Sequence, residues 1–149
     1  MNIISENDLS FKVLDKYQKI IFEYRYESSH KLAIQTWYGF IRDTTIIEIY
    51  KEIAKFAFQR KQAIFGSITD LTDVEGSFDG INEWLTKEYM PIAIKYGFRF
   101  AVLIRSKDFF ANLALEELEE LKVGYVSKTF DNFEDGYEWV TAQLSKIQS

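Results

Sequence analysis

The residues best placed to do chemistry lie between positions 63 and 85, AIFGSITDLTDVEGSFDGINEWL. Here Asp70, Asp73, Glu75, Asp79 and Glu83 are interleaved with Thr69, Thr72 and Ser77. Carboxylates at such close spacing suit a hard cation, and hydroxyls among them suit phosphorylation. The one specific cation pattern fails, because an EF-hand loop needs a glutamate at its twelfth position. Counted from Asp70 that position is Ile81, and counted from Asp73 it is Trp84. An irregular Mg²⁺ or Ca²⁺ site on Asp70, Asp73 and Glu75 competes with a plainer alternative. That alternative is a solvated loop entering a helix, whose free N–H groups attract acidic side chains. The plainer alternative is the one expected, with no metal and no cofactor. The loop residues Asp70, Thr72, Asp73, Glu75, Ser77 and Asp79 then form a candidate recognition surface.

Other catalytic chemistry finds little support. His30 is the single histidine and lies in a hairpin loop, SSHK, where an imidazole is expected to be exposed and idle. Asp70 and Asp73 are too ordinary a pair to signal glycosidase chemistry. The chain holds no G-x-S-x-G elbow, no G-x-G-x-x-G and no Walker A sequence. With no cysteine, thiolate nucleophiles, disulfides and cysteine-held zinc or iron–sulfur sites are excluded. The expectation is a protein that is not an enzyme.

Composition narrows the partners. A formal net charge of −5 argues against nucleic acid, whose binding needs a basic stripe to displace counterions. The basic residues of KEIAKFAFQRK, 51 to 61, fall on the polar side of a helical pattern. No basic segment followed by an apolar core opens the chain, and no apolar run approaches the ~20 residues of a membrane span. A cytoplasmic protein is expected. Aromatic residues make up 17% of the chain, enough to fill a core and leave rings for a cavity or an interface. Tyr24, Tyr26, Trp37, Tyr38, Phe40, Trp84, Tyr89 and Tyr96 are the candidates to line a pocket for an apolar or planar ligand. Trp37, Tyr38 and Trp84 are the foremost of them. Trp37 shares a strand face with Ala33 and Gln35, opposite Leu32 and Ile34. It is therefore expected on the less buried side, as a dimer contact on the sheet.

The elements that must position these residues follow from periodicity. Period-two alternation over 9–14, 20–26 and 31–39 predicts three half-buried, antiparallel strands. The period then changes to 3.6. Asp43 is expected to cap a helix carrying Ile46, Ile49, Ile53 and Phe56 on its apolar face. A short strand at 63–68 leads through the acidic loop to a helix over 79–96, kinked or broken near Pro91 and ended by Gly97. FAVLI, 100–104, is apolar without alternation and reads as a central strand covered on both faces. Ser106 or Lys107 opens a third helix, stopped by Gly124. A last strand at 125–130 precedes a final helix, with a capping box expected on Asp131 and Glu134. No linker or repeat interrupts this order, so residues 1–149 are expected to form a single domain. The order βββαβαβαβα predicts an α/β fold with one mixed sheet and helices packed mainly on one face.

That order resembles the STAS superfamily of anti-anti-sigma-factor-like domains. It is closer to the SpoIIAA-like (STAS/SEC14-type) branch, found as small stand-alone bacterial proteins. The residues carrying the likeness are Trp37-Tyr38-Gly39, Ile68-Thr69-Asp70, Trp84 and the tail from Phe130 to Val140, with its Trp139-Val140 pair. The resemblance implies a regulatory module acting through protein–protein contact, either with another protein or as a homodimer. SEC14-type relatives also imply a second option, an apolar or lipid ligand carried in an aromatic pocket. One departure is plain: switch-type members carry a phosphorylatable serine in an I-D-S-S-G turn. Here Phe78-Asp79-Gly80 stands near that place, with Thr72 and Ser77 the nearest hydroxyls. The non-enzymatic interaction module is the leading expectation and the carrier the alternative.

Overall fold

A computed structural model describes residues 1–148. Seven strands form one mixed sheet in sequential order. They are β1 (Asn2–Asn7), β2 (Ser10–Leu14), β3 (Ile20–Glu27), β4 (Leu32–Gly39), β5 (Gly66–Val74), β6 (Phe100–Ile104) and β7 (Val126–Phe130). The first four pair antiparallel, and β4 to β7 pair parallel. The predicted α/β class and mixed sheet are therefore what the chain adopts. The opening strand β1 was not anticipated. NIISEN has no alternating apolar face, and all six of its residues are exposed at the sheet edge, so backbone pairing holds it there with polar contacts such as Glu6 to Lys12 of β2 at 2.9 Å.

Four helical segments pack on this sheet. They are α1 (Asp43–Gln59), α2 (residues 79–95), α3 (Phe109–Leu121) and α4 (Phe133–Gln148). Each parallel connection steps to the next strand in the same direction. Right-handed crossovers must then place α1, α2 and α3 on the same face. Ile49 and Ile53 of α1, Ile81 and Leu85 of α2, and Ala111 and Leu115 of α3 accordingly share one core cluster. After β7 there is no further strand to reach, and α4 covers the other face with Val140 and Leu144.

The helix ends differ in detail from the expected caps. Asp43 is the first helical residue rather than the cap, a position held by the extended Arg42 with no side-chain bond. Asp108, not Ser106 or Lys107, caps α3 and accepts from the Phe110 N–H at 2.9 Å. At α4 the reciprocal pair is Asn132 and Asp135, one residue beyond the expected Asp131 and Glu134. Asn132 Oδ1 accepts from the Asp135 N–H at 2.9 Å, and its amide donates back to the Asp135 carboxylate at 3.1 Å.

α2 is continuous but irregular. A 3₁₀ turn at Asp79–Ile81 passes through Asn82–Trp84 into a π turn at Leu85–Tyr89, then α-helix from Met90 to Lys95. Pro91 lacks an N–H and its ring crowds the carbonyl four residues earlier, so the widened turn just before it relieves the clash without breaking the helix. Gly97, at φ +114°, ends the segment.

Candidate functional site: an aromatic cavity beneath the helices

The face carrying α1 and α2 is incompletely filled. A cavity of about 1020 Å³ lies between the sheet and these two helices. Its floor is built from small residues brought into line by strand register. Ala33 of β4 lies opposite Ser67 of β5, which lies opposite Ala101 of β6. All three line the cavity, and side chains this short leave the helices without a layer to rest on. The walls are aromatic. The rings of Trp37 and Tyr50 lie 5.4 Å apart, those of Tyr50 and Tyr89 4.9 Å, and those of Tyr50 and Trp84 6.1 Å. The rim lies between α1 and α2, where Phe58 is 81% and Tyr96 71% exposed. Lys51, Lys55, Lys61 and Glu88 line the cavity from exposed positions there.

Electrostatically the interior is neutral. Burial drives the hydroxyls of Tyr50 and Tyr89 far above the ordinary tyrosine range. Tyr125 is pushed up to about 12, by burial first and by the nearby Glu119 carboxylate second. Phenols held so firmly neutral are hydrogen-bonding groups and not proton shuttles near pH 7. Ser67 and Thr69 line the floor, yet among the described residues neither hydroxyl is bonded to an imidazole or a carboxylate. The cavity therefore offers apolar surface and a few neutral polar groups, without an activated nucleophile.

The pocket candidates separate cleanly. Trp37, Trp84, Tyr89 and Tyr96 line the cavity. Trp37 corrects the expectation of an exposed face, being 4% exposed with its ring against Phe22 and Tyr50. It is no dimer contact on the sheet, because α1 covers that face. Tyr38 points to the opposite side and donates to Glu23 Oε1 at 2.6 Å. Tyr24 and Tyr26 are buried but spend their hydroxyls on Gln62 Oε1 at 2.9 Å and the Ala63 carbonyl at 2.6 Å. Phe40 is exposed and outside the cavity. Tyr50, Phe98 and Tyr125 were missed as lining residues. So was the floor of Ala33, Ser67 and Ala101, although small residues at alternate positions of three strands were there to be read.

The acidic segment is mostly strand. β5 continues past the expected end at 68 to Val74 and takes Asp70, Thr72 and Asp73 with it. A bulge between Asp70 and Asp73 sets two β5 residues, Leu71 and Thr72, against Trp37 of β4. There Asp70 Oδ1 accepts from the Thr72 N–H at 3.0 Å, replacing a ladder bond that the bulge disrupts. Asp73 pairs with Lys107 at 3.4 Å, both well exposed. Glu75, Ser77 and Asp79 are exposed on the remaining turn, and Ser77 Oγ accepts from the Asp79 N–H at 3.3 Å. The turn is tied down by Asp108, whose carboxylate accepts from the Gly76 N–H at 2.6 Å. Hydrogen bonds from Gly76 and Phe110 hold that carboxyl below its usual range. Among the described residues, no three His, Asp or Glu side chains come together in a metal-sized group.

His30 is not the idle, exposed residue expected of it. It is half-buried, bonded to Glu27 and set edge-on to Tyr137 of α4. Tyr137 also donates to Glu27 at 2.6 Å, so the cluster fastens α4 to the β3–β4 hairpin. Burial disfavours the charged Glu27, but the hydrogen bonds from Tyr137 and His30 outweigh it and leave its pKa lowered.

No helix is long and apolar enough to cross a membrane, among the described residues. Comparison with known families finds no family model that matches the chain, and none of the curated proteins matches it either.

Proposed function

We propose that the protein binds and carries a small, largely apolar ligand in the cavity between α1, α2 and the sheet. The observation that carries this reading is the neutral, aromatic-walled space of about 1020 Å³, at the upper end of ligand-pocket volumes. A void of that size in a 149-residue chain forfeits packing energy, which an occupant would restore. The exposed Phe58 and Tyr96 at the rim give an apolar molecule a path inward. The likeness to SEC14-type STAS domains belongs to the same proposal, and it rests on element order and the short sequence matches alone. Pyrene fluorescence tests the reading: saturable one-to-one binding is expected, abolished when the floor is filled by Ala101→Phe. Partitioning without saturation, or binding untouched by Ala101→Phe, would sink it.

A second reading, association with a protein partner, draws on a different place. Phe109 and Phe110 at the start of α3 are 68% and 61% exposed, beside the Gly76 turn that Asp108 holds. Two exposed rings next to the exposed Glu75 and Asp79 make a contact surface of apolar centre and acidic rim. Sedimentation of the wild type against Phe109→Ser/Phe110→Ser tests self-association there. A dimer that persists in the variant counts against it.

A further inference from the structure

The mouth of the cavity sets large apolar side chains in water among cations that have no partner. Lys51, Lys55 and Phe58 are spaced four and three residues apart on α1, so they share one stripe of the helix, and Lys61 follows its end. Ile92 and Tyr96, four apart, form a stripe on α2. All six line the cavity from exposed positions. Ile92 is 60% exposed, and with Phe58 and Tyr96 it gives the opening three large apolar side chains that the fold does not bury. Single exposed apolar residues are ordinary, but three grouped at one opening mark a contact surface.

Charge narrows what that surface meets. Lys51, Lys55 and Lys61 form no ion pair, among the described residues. Arg60 and Lys87, by contrast, are already paired with Asp8 and Glu83. Glu88 is the acidic group at the same opening, whereas Glu48 and Glu52 of α1 do not line it. Glu75 stands at the far end, since it follows the close of β5 and Lys61 precedes its start. The opening is therefore locally cationic in a chain whose net charge is −5.

We propose that this opening docks on an anionic lipid bilayer and that the ligand enters and leaves through it. Phe58, Ile92 and Tyr96 enter the headgroup layer, and the three lysines meet lipid phosphates. The proposal rests on the carrier reading of the cavity. A bilayer fits both halves of the surface. Its interface accepts aromatic and aliphatic side chains, and its anionic headgroups supply the counter-charges that the protein does not. Lysine is depleted from protein–protein interfaces, which sets a second protein behind a bilayer as the partner.

Flotation with lipid vesicles tests this. Wild type is expected to bind phosphatidylcholine vesicles containing a quarter phosphatidylglycerol roughly tenfold tighter than phosphatidylcholine alone, and to lose that advantage in molar salt. Because the whole chain is anionic, attraction to such vesicles must come from a local patch. Lys51→Gln/Lys55→Gln/Lys61→Gln and Phe58→Ser/Tyr96→Ser are each expected to weaken binding about tenfold or more. The lysine variant is expected to keep saturable pyrene binding in the absence of vesicles. Equal binding to the two lipid mixtures, or binding that both variants retain, would overturn the docking. Wild type that saturates with pyrene but ignores both vesicles would overturn the docking and leave the carrier reading standing. Wild type that binds vesicles but never saturates with pyrene would end the carrier reading, and the passage of ligand with it. A dimer in sedimentation that Phe58→Ser/Tyr96→Ser abolishes would assign the patch to a second copy instead. Should one variant not fold, the other decides together with the lipid and salt series.

Discussion

The two faces of the sheet use the same three strands in opposite ways. On one, Leu32, Ile34, Ile68, Val102 and Ile104 meet Val140 and Leu144 of α4 in a dense aliphatic layer. Gly136 lets that helix settle closely, since a Cβ there would stand 2.6 Å from Val102 Cγ1. On the other, the intervening positions Ala33, Ser67 and Ala101 are small, and α1 and α2 stand above them on a ring of aromatic side chains. Branched side chains are thus concentrated where the sheet is sealed, and short ones where it is hollow. A chain under selection for packing alone would fill both sides to crystal-like density. The ligand proposed above would occupy the hollow side, while on the sealed side α4 packs directly on the sheet.

Alkali should break this comparison most severely. Tyr50, Tyr89 and Tyr125 are all on the hollow side, with hydroxyls held above their ordinary range. An unfolded tyrosine ionises near pH ~10, so the folded state then binds more protons than the unfolded one. The stability these groups contribute is complete below pH ~10 and is lost as pH rises through the folded values, about 12 for Tyr125. Each tyrosine still protonated in the fold costs about 1.4 kcal/mol per pH unit in that window. Cooperative unfolding by circular dichroism between roughly pH 10 and 12 is expected, with tyrosine absorbance changing in step. Ionisation completed at pH ~10 without loss of helix would contradict the burial of these rings.

Paired substitutions sharpen the contrast. Leu144→Ala, on the sealed face, removes a fully buried side chain and is expected to cost about 2–5 kcal/mol in denaturant unfolding. Ala101→Leu, on the hollow face, adds volume where there is room, and is expected to raise stability by about 0.5–2 kcal/mol. If Ala101→Leu destabilised the protein as much as Leu144→Ala, the cavity would be closed in solution. The smallest effect belongs to the acidic segment. Asp73→Asn breaks an ion pair whose partners are 54% and 80% exposed, and thermal unfolding should register a change of at most about 1 kcal/mol.

Much of the fold was legible along the chain. Alternation in IIFEYRY placed Phe22, Tyr24 and Tyr26 on one buried face, and the unbroken apolar run FAVLI marked a strand covered on both sides. The helical stripe Ile46, Ile49, Ile53 and Phe56 likewise became the buried side of α1. β1 escaped because all six of its residues are exposed, so it has no buried face and leaves no period to detect. The site was less legible. The acidic residues drew attention because their types are chemical, yet the bulge, Lys107 and a turn account for Asp70, Asp73 and Asp79. Trp37 was assigned the wrong side because its strand neighbours Ala33 and Gln35 are small or polar, and such residues ordinarily face solvent.

Local sequence determined which segments are strand and which are helix, because periodicity and the turn residues between them act over a few positions. Chain chirality fixed the hand of the crossovers, but that α1, α2 and α3 share one face followed only from the sequential strand order of the folded sheet. Only the tertiary structure likewise decided where the void lies. Ala33, Ser67 and Ala101 are separated by more than thirty residues each, and only strand register sets them side by side. A small side chain carries no directional signal of its own. It becomes a cavity floor only when its neighbours across the ladder are small as well and the helices above are held off by larger rings.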